Sequence, residues 1–227
     1  MGVRSDPDAR FVQAPMPGSP DFPPHAFEKQ DPAPDLDFYA PPRLVHHIDD
    51  AAVAALTNYY RELIPPCADV LDLMSSWVSH LPDDRPLNSV VGHGMNAEEL
   101  AANPRLTRWF VQDLNLEPAL PLPDAGFDAA LCCVGAQYLQ HPVEVFAEVA
   151  RTLRPGGAFA VSYSNRCFPT KAVAIWRALD MGDQAKLIAL YLERAGFDAI
   201  ETRVLADGAR SDPLVVVTGR TASAATG

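Results

Sequence analysis

Apolar residues fall along this chain in short runs separated by polar and turn-forming stretches, and two periods alternate. DVLDL, at residues 69–73, is a run of branched apolar residues between turn residues, as a buried parallel strand would be. Similar runs predict strands at about residues 89–92, 109–113, 127–133, 158–162, 200–205 and 214–218. Between them, apolar spacings of three and four predict helices over 97–102, 143–153 and 184–195, the last stopped by Gly196. Ahead of the first strand, Val45, Ile48, Ala52, Leu56, Tyr59, Tyr60 and Leu63 mark one face of a helix over 44–64, which Pro65 and Pro66 end. Strands alternating with helices predict a parallel sheet covered on both faces. Only ADGARSDP separates the last two strands, too little for a helical crossover, so these two should pair as an antiparallel hairpin.

Composition divides the chain. Residues 1–42 hold ten of its 22 prolines and few apolar clusters, which favours extended or polyproline-like chain over packed helix. We therefore expect a Pro-rich extension over 1–42, with residues 35–42 anchored as extended chain on a domain spanning 43–220, and a flexible tail over 221–227. Residues 1–30 supply so little apolar surface that their loss should leave the fold intact. The net charge of −11 argues against a broad phosphate-binding face and so against nucleic-acid partners. No stretch approaches the roughly 20 apolar residues of a membrane span, and the start, MGVRSDPDARF, has no export signal, so a cytoplasmic address is expected. The four cysteines lack the paired spacing of a zinc site, no metal is expected, and Cys132 and Cys133 lie in an apolar run that suits buried, inert thiols.

The segment FDAALCCVGAQYLQHPVEVFAEVARTLRPGGAFAVSYSNR, residues 127–166, resembles the fourth strand, following helix and fifth strand of the class I S-adenosylmethionine (SAM)-dependent methyltransferases, of the type 11-like kind. Its LRPGG also has a mechanical reason, because Pro155 stops a helix and two glycines permit the turn into the next strand. The resemblance extends over about residues 69–219. It implies a three-layer, doubly wound α/β fold, Rossmann-like, with seven strands, mostly parallel, and the terminal antiparallel hairpin. It also implies SAM as cofactor.

Carried over position by position, the resemblance implies a cofactor site at the strand ends. Asp72 stands where the family has the acid ending its first strand, but Met74, Ser76 and Val78 replace the glycines that normally follow, leaving Ser75 and Ser76 as small hydrogen-bonding residues for the cofactor's carboxylate. Gly94 stands in place of the usual ribose-binding carboxylate, with Met95 available to pack on the adenine and Asn96 either near the ribose or capping the helix that follows, Glu99 then completing a capping box. Asp113 occupies the position of the adenine-binding acid and the Leu114 backbone N–H that of the ring donor, while Val134, Gln137 and Tyr138 fall where the adenosine and methyl group are lined.

Methyl transfer needs alignment and desolvation more than acid–base help, though a hydroxyl or thiol acceptor benefits from a base. Candidate catalytic groups are Tyr39, His46 and Asp49, the last two spaced to pair on one helical face; the same cluster, RLVHHIDD, would also serve as a first turn rich in carboxylates. His47, Asn165 and Arg166 are candidates for binding the acceptor, and His80 for facing either pocket or solvent. No GxGxxG, Walker or GxSxG motif is present. The expected activity is methylation of a small-molecule acceptor by SAM; the alternative is a non-catalytic methyltransferase-like binding or interaction protein, which the missing glycines favour.

Overall fold

The computed structural model describes residues 22–23 and 25–224. Its centre is a seven-stranded sheet of β1 (Asp69–Leu73), β2 (Ser89–Gly94), β3 (Arg108–Val111), β4 (Phe127–Cys133), β5 (Leu153–Ser164), β6 (Asp198–Ala206) and β7 (Leu214–Arg220), in spatial order β3-β2-β1-β4-β5-β7-β6. The pairs from β3 to β5 are parallel, and β7 runs antiparallel to both β5 and β6. The doubly wound α/β expectation and the terminal hairpin are both realised. Strand order reverses between β1 and β4, which opens a crevice at the carboxyl edge, where folds of this class bind ligands.

The helices are α1 (Asp35–Tyr39), α2 (Asp50–Leu63), α3 (Ala97–Ala102), α4 (Pro142–Thr152), α5 (Ala174–Ala178) and α6 (Met181–Arg194). The central strands are apolar on both faces because successive side chains supply two different cores. From β4, Ala130 and Cys132 join Phe146 of α4 and Ile188 of α6 on one side, whereas Ala129 and Leu131 join Leu56 and Tyr60 of α2 on the other. Strand β7 divides the same way, with Val215 and Val217 against the first core and Leu214 and Val216 against the second.

Three local expectations are corrected. The helix expected over 44–64 starts only at Asp50, because the Asp49 carboxylate accepts the Ala52 backbone N–H and acts as the N-cap. Ile48, on the expected apolar face, is buried from the preceding loop instead. Residues 35–39, expected as extended chain, form α1 directly after Pro34. LRPGG is not a turn before the strand but the opening of β5, where Leu153 pairs with Phe127 and the register then shifts, with Gly156 at φ +79°.

Part of the Pro-rich extension lies outside the described residues, and the rest is packed. Ala26 is buried, and the Phe22 and Phe27 rings lie 6.0 and 6.3 Å from Tyr191 of α6. The backbone N–H groups of Ala174 and Ile175 donate to Glu28 and Ala26. Phe22, Ala26 and Phe27 therefore add apolar surface to the core, where residues 1–30 were expected to supply little.

Candidate active site

A cavity of about 520 Å³ opens over the carboxyl edge of β1, β2 and β4. Its floor comes from the residues that end those strands. Asp72, buried in β1, accepts the Ser75 hydroxyl at 2.6 Å, and burial pushes its carboxyl up to about 6 although Ser75 and Ser79 oppose the shift. After it the chain turns through Met74 at φ 55°, and on the neighbouring strand it leaves β4 through Val134 at φ 46°. Left-handed backbone is costly for such residues, about 1–3 kcal/mol each, and clusters where the surroundings over-determine a site. The loop after β1 is tied to β2: Ser75 N–H donates to His93 O at 2.6 Å and Met74 N–H to His93 Nδ1 at 3.2 Å.

Helix α3 stands beside this loop. Asn96 caps it by accepting the N–H groups of Glu98 and Glu99, so the capping reading of Asn96 is realised. Glu99 does not complete a capping box. Its carboxylate is buried and reaches into the cavity, where Oε2 accepts the Ser76 hydroxyl at 2.5 Å and Oε1 the Arg43 backbone N–H at 2.6 Å. The same Asn96 donates its amide to the carbonyls of Tyr39 and Ala40, so one side chain both starts α3 and anchors the extension above it.

That extension roofs the cavity, and a buried ion cluster holds it down. Lys171, with no exposed surface, lies 3.1 Å from Asp31 Oδ2 and 3.3 Å from Asp35 Oδ1 and donates to Ala33 O at 2.7 Å. Asp35 also pairs with Lys29 and accepts the Asn115 amide at 2.9 Å. Aromatic contacts complete the roof: Phe168, in the loop after β5, lies 5.2 Å from Phe38, 5.8 Å from His47 and 6.0 Å from Tyr138.

The residues expected to hold a cofactor mostly meet here. Asp72, Met74, Ser75, Ser76, Gly94 and Met95 line the cavity, as do Asn96, Asp113, Leu114, Val134 and Tyr138. Gln137 does not: it is buried behind the wall, donating its amide to Val134 O. Asp113 lies two residues beyond the end of β3, held in a turn by the Asn115 N–H. Of the candidates for chemistry and acceptor binding, Tyr39, His46, His47, Asp49 and Arg166 reach the cavity, whereas Asn165 is an exposed loop residue that does not.

The expected His46–Asp49 pair does not form, because neither residue lies within the helix. The Asp49 carboxylate is used by the backbone N–H groups of Ala52 and Asp212, and His46 stacks on Trp77 at 5.0 Å with its Nδ1 3.8 Å from Asp50. The Tyr39 hydroxyl is pushed far above its usual range by burial, which removes it as a base. Arg166 points its Nε at Asp212, 2.9 Å away.

His47, His80 and His93 are the imidazoles whose pKa burial lowers. His47, half-buried, has its pKa lowered chiefly by desolvation, while His80 falls to about 4 and has a buried Nδ1 without a partner. Arg43, Trp77, His93 and Phe168 belong to the site and were not anticipated from sequence. His93 had a signal, a polar residue at an inward position of a buried strand; Phe168, in an unpatterned loop, had none.

Among known proteins, residues 79–161 match the family model described as a methyltransferase domain. Over 72 residues the chain is 31% identical to the biotin biosynthesis bifunctional protein BioHC of Teredinibacter turnerae, a match that spans 32% of this chain and only 12% of that protein. In structure it resembles a chain of the complex between the Haloferax volcanii Trm112 methyltransferase activator and a methyltransferase, with TM-score 0.59 at 16% identity over 78% of this chain and 92% of that one. A SAM-dependent methyltransferase from Mesorhizobium loti gives TM-score 0.52 at 19% identity over 73% of this chain and 97% of that one. The strand order with its reversed last strand and the match over the segment running from the loop after β1 into β5 agree: the chain has the fold of the class I SAM-dependent methyltransferases, and residues 79–161 resemble a methyltransferase domain.

Proposed function

We propose that the protein transfers a methyl group from SAM to a small-molecule acceptor. One observation carries this reading: the cavity joins the strand-end residues at which the family holds its cofactor to an aromatic and imidazole-lined chamber closed by the N-terminal extension. The nucleoside end of the cofactor fits between Asp113, whose free carboxylate oxygen would accept the adenine amino group, and Met95, whose thioether would pack on the ring. Met74 supports the fit, since its left-handed φ gives the backbone the course that a glycine would otherwise take.

Bound there, SAM supplies a methyl group on a sulfonium, ready for in-line displacement. The protein's own part is to position the acceptor and exclude water, which Phe168, Trp77 and Tyr138 do with flat apolar faces. His47 accepts the acceptor's proton. It is neutral, lines the cavity and, unlike Asp49 and Arg166, has no hydrogen-bonded partner among the described residues. With no broad basic face, the partner in this reading is a small molecule rather than a nucleic acid. Among the described residues no helix is long and apolar enough to cross a membrane, and we place the enzyme in the cytoplasm.

A second reading, a methyltransferase-like binding protein without turnover, is favoured by Gly94. A Cβ there would lie 2.5 Å from Ser75 O, so the backbone occupies the place from which the family's ribose-binding carboxylate projects. Calorimetric titration of the full chain with SAM and with S-adenosylhomocysteine tests both. Saturable binding of each supports the enzyme; no heat and no thermal shift with either at millimolar concentration rejects it.

A further inference from the structure

The first strand-loop lacks the glycines that would let backbone approach the cofactor's amino-acid end, yet beside that loop the chain brings together two opposite charges that do not neutralise each other. The Arg43 guanidinium lines the cavity, 4.6 Å above the Phe38 ring and 5.4 Å from that of Phe168. It donates only to backbone carbonyls, Phe38 O at 2.9 Å and Pro41 O at 3.4 Å, and forms no ion pair with a carboxylate among the described residues. Arg166 and Lys171, by contrast, are both paired with aspartates. Arg43 is thus a cavity-lining guanidinium whose charge no carboxylate among the described residues neutralises, which leaves it open to an anionic ligand.

The neighbouring anion is Glu99. Its carboxylate takes the Arg43 backbone N–H and the Ser76 hydroxyl, so it is fixed between the roof and the loop that follows β1. Both charged groups act on His47, which Glu99 pushes toward its protonated form and Arg43 away from it. Arg43 and Glu99 both line the cavity and are joined through the Arg43 backbone N–H, yet form no ion pair with each other, so they stand as a cation and an anion held separately. An α-amino acid presents the complementary pair, an ammonium and a carboxylate on one carbon.

We propose that Arg43 and Glu99 form the clamp for the aminocarboxylate end of SAM, Arg43 taking the carboxylate and Glu99 the ammonium, in place of the backbone contacts that the altered loop no longer makes. This rests on the methyltransferase reading above. It follows that the N-terminal extension is part of the cofactor site: Arg43 reaches the cavity only because Asn96 and Lys171 hold the preceding segment down.

Calorimetry on the full-length chain with S-adenosylhomocysteine and with 5′-methylthioadenosine, which shares the nucleoside but lacks the aminocarboxylate, tests the clamp. The parent should bind S-adenosylhomocysteine more tightly than 5′-methylthioadenosine. Arg43→Met and Glu99→Gln should each weaken S-adenosylhomocysteine by about tenfold to a hundredfold and leave 5′-methylthioadenosine within about twofold, so the second ligand also reports that the site is still folded. Arg43→Lys serves as a charge-keeping variant and should retain part of the preference. Variants that bind S-adenosylhomocysteine as the parent does overturn the clamp alone, as does an equal loss for both ligands. A parent that binds neither ligand overturns the methyltransferase reading and the clamp with it.

Discussion

The Nδ1 of His93, in β2, accepts the backbone N–H of Met74, the first residue after β1, at 3.2 Å, while its Nε2 donates to the carbonyl of Gln112 at 2.9 Å. One buried imidazole thus ties the ends of all three strands on this side of the crevice, and it can do so only when neutral. Burial lowers its pKa to about 4. The folded state therefore prefers the unprotonated ring, so its contribution to stability is complete above pH 6.5 and is lost as pH falls from 6.5 toward 4. The gap is worth on the order of 3 kcal/mol. Urea unfolding at pH 7 and pH 5 should show a larger loss for the parent than for His93→Gln; equal losses would rule out this imidazole as a source of acid sensitivity.

Restoring the family's ribose carboxylate should harm the protein. In Gly94→Asp the new Cβ meets Ser75 O at 2.5 Å, a backbone atom of a residue whose own N–H is bonded to His93 O. We expect about 1–3 kcal/mol of destabilisation and weaker, not tighter, binding of S-adenosylhomocysteine. A stable variant with improved affinity would show that the loop moves aside and that the present course of Ser75 is not obligatory.

Asp113→Ala removes one charge-assisted hydrogen bond to the adenine amino group in the proposed pose. Affinity for S-adenosylhomocysteine should fall by roughly 1–3 kcal/mol, about tenfold to a hundredfold. Because Asp113 also accepts the Asn115 N–H, the thermal midpoint is measured alongside. Unchanged affinity in a folded variant would move the nucleoside away from β3.

His47 carries a prediction on rate. Its pKa lies below the ordinary 6.5, so methylation of a hydroxyl or thiol acceptor should be independent of pH above about 6.5 and decline as the imidazole protonates below it. His47→Ala should cost about a hundredfold to ten-thousandfold in kcat. A variant that keeps the parent's rate and pH profile would assign the proton to solvent or to another group.

Lys171→Met would leave Asp31 and Asp35 facing a buried apolar side chain. Because Asp35 keeps Lys29 and Asp31 is partly exposed, the loss of stability should be measurable but fall short of the roughly 3–5 kcal/mol of breaking a fully buried pair. The variant should also bind S-adenosylhomocysteine less well, since the roof that carries Arg43 and Tyr39 would loosen. Parent-like unfolding would mean that the aromatic contacts of Phe168 hold the roof without the ion cluster.

Much of the fold was legible along the chain, because strands between two helical layers are apolar on both faces and their turns are written in Gly, Pro and Asp. All seven strands lie where short apolar runs placed them, and Gly196 ends the approach to β6 with φ +87°. The helix expected over 44–64 failed at its start for a local reason: periodicity reports which residues become buried, and Ile48 is buried, but it does not report that the Asp49 side chain captures the Ala52 N–H and begins the helix later. The extension was misjudged because prolines exclude regular structure without excluding packing, and its Phe22, Ala26 and Phe27 find their partners on α6 and α5.

By itself, then, the sequence determined the sheet, its order through resemblance, and the strand-end residues that face the crevice, since these follow from alternation and from position relative to a strand. Tertiary structure alone decided how those residues are used. Glu99 reads as a capping-box residue and instead joins Arg43, 56 residues away, to Ser76; Asp49 reads as a partner for His46 and is taken by the N–H of Asp212, 163 residues away. A carboxylate bonds to whichever donors the fold places within hydrogen-bonding distance, and for these two side chains the donors come from segments that no local pattern connects.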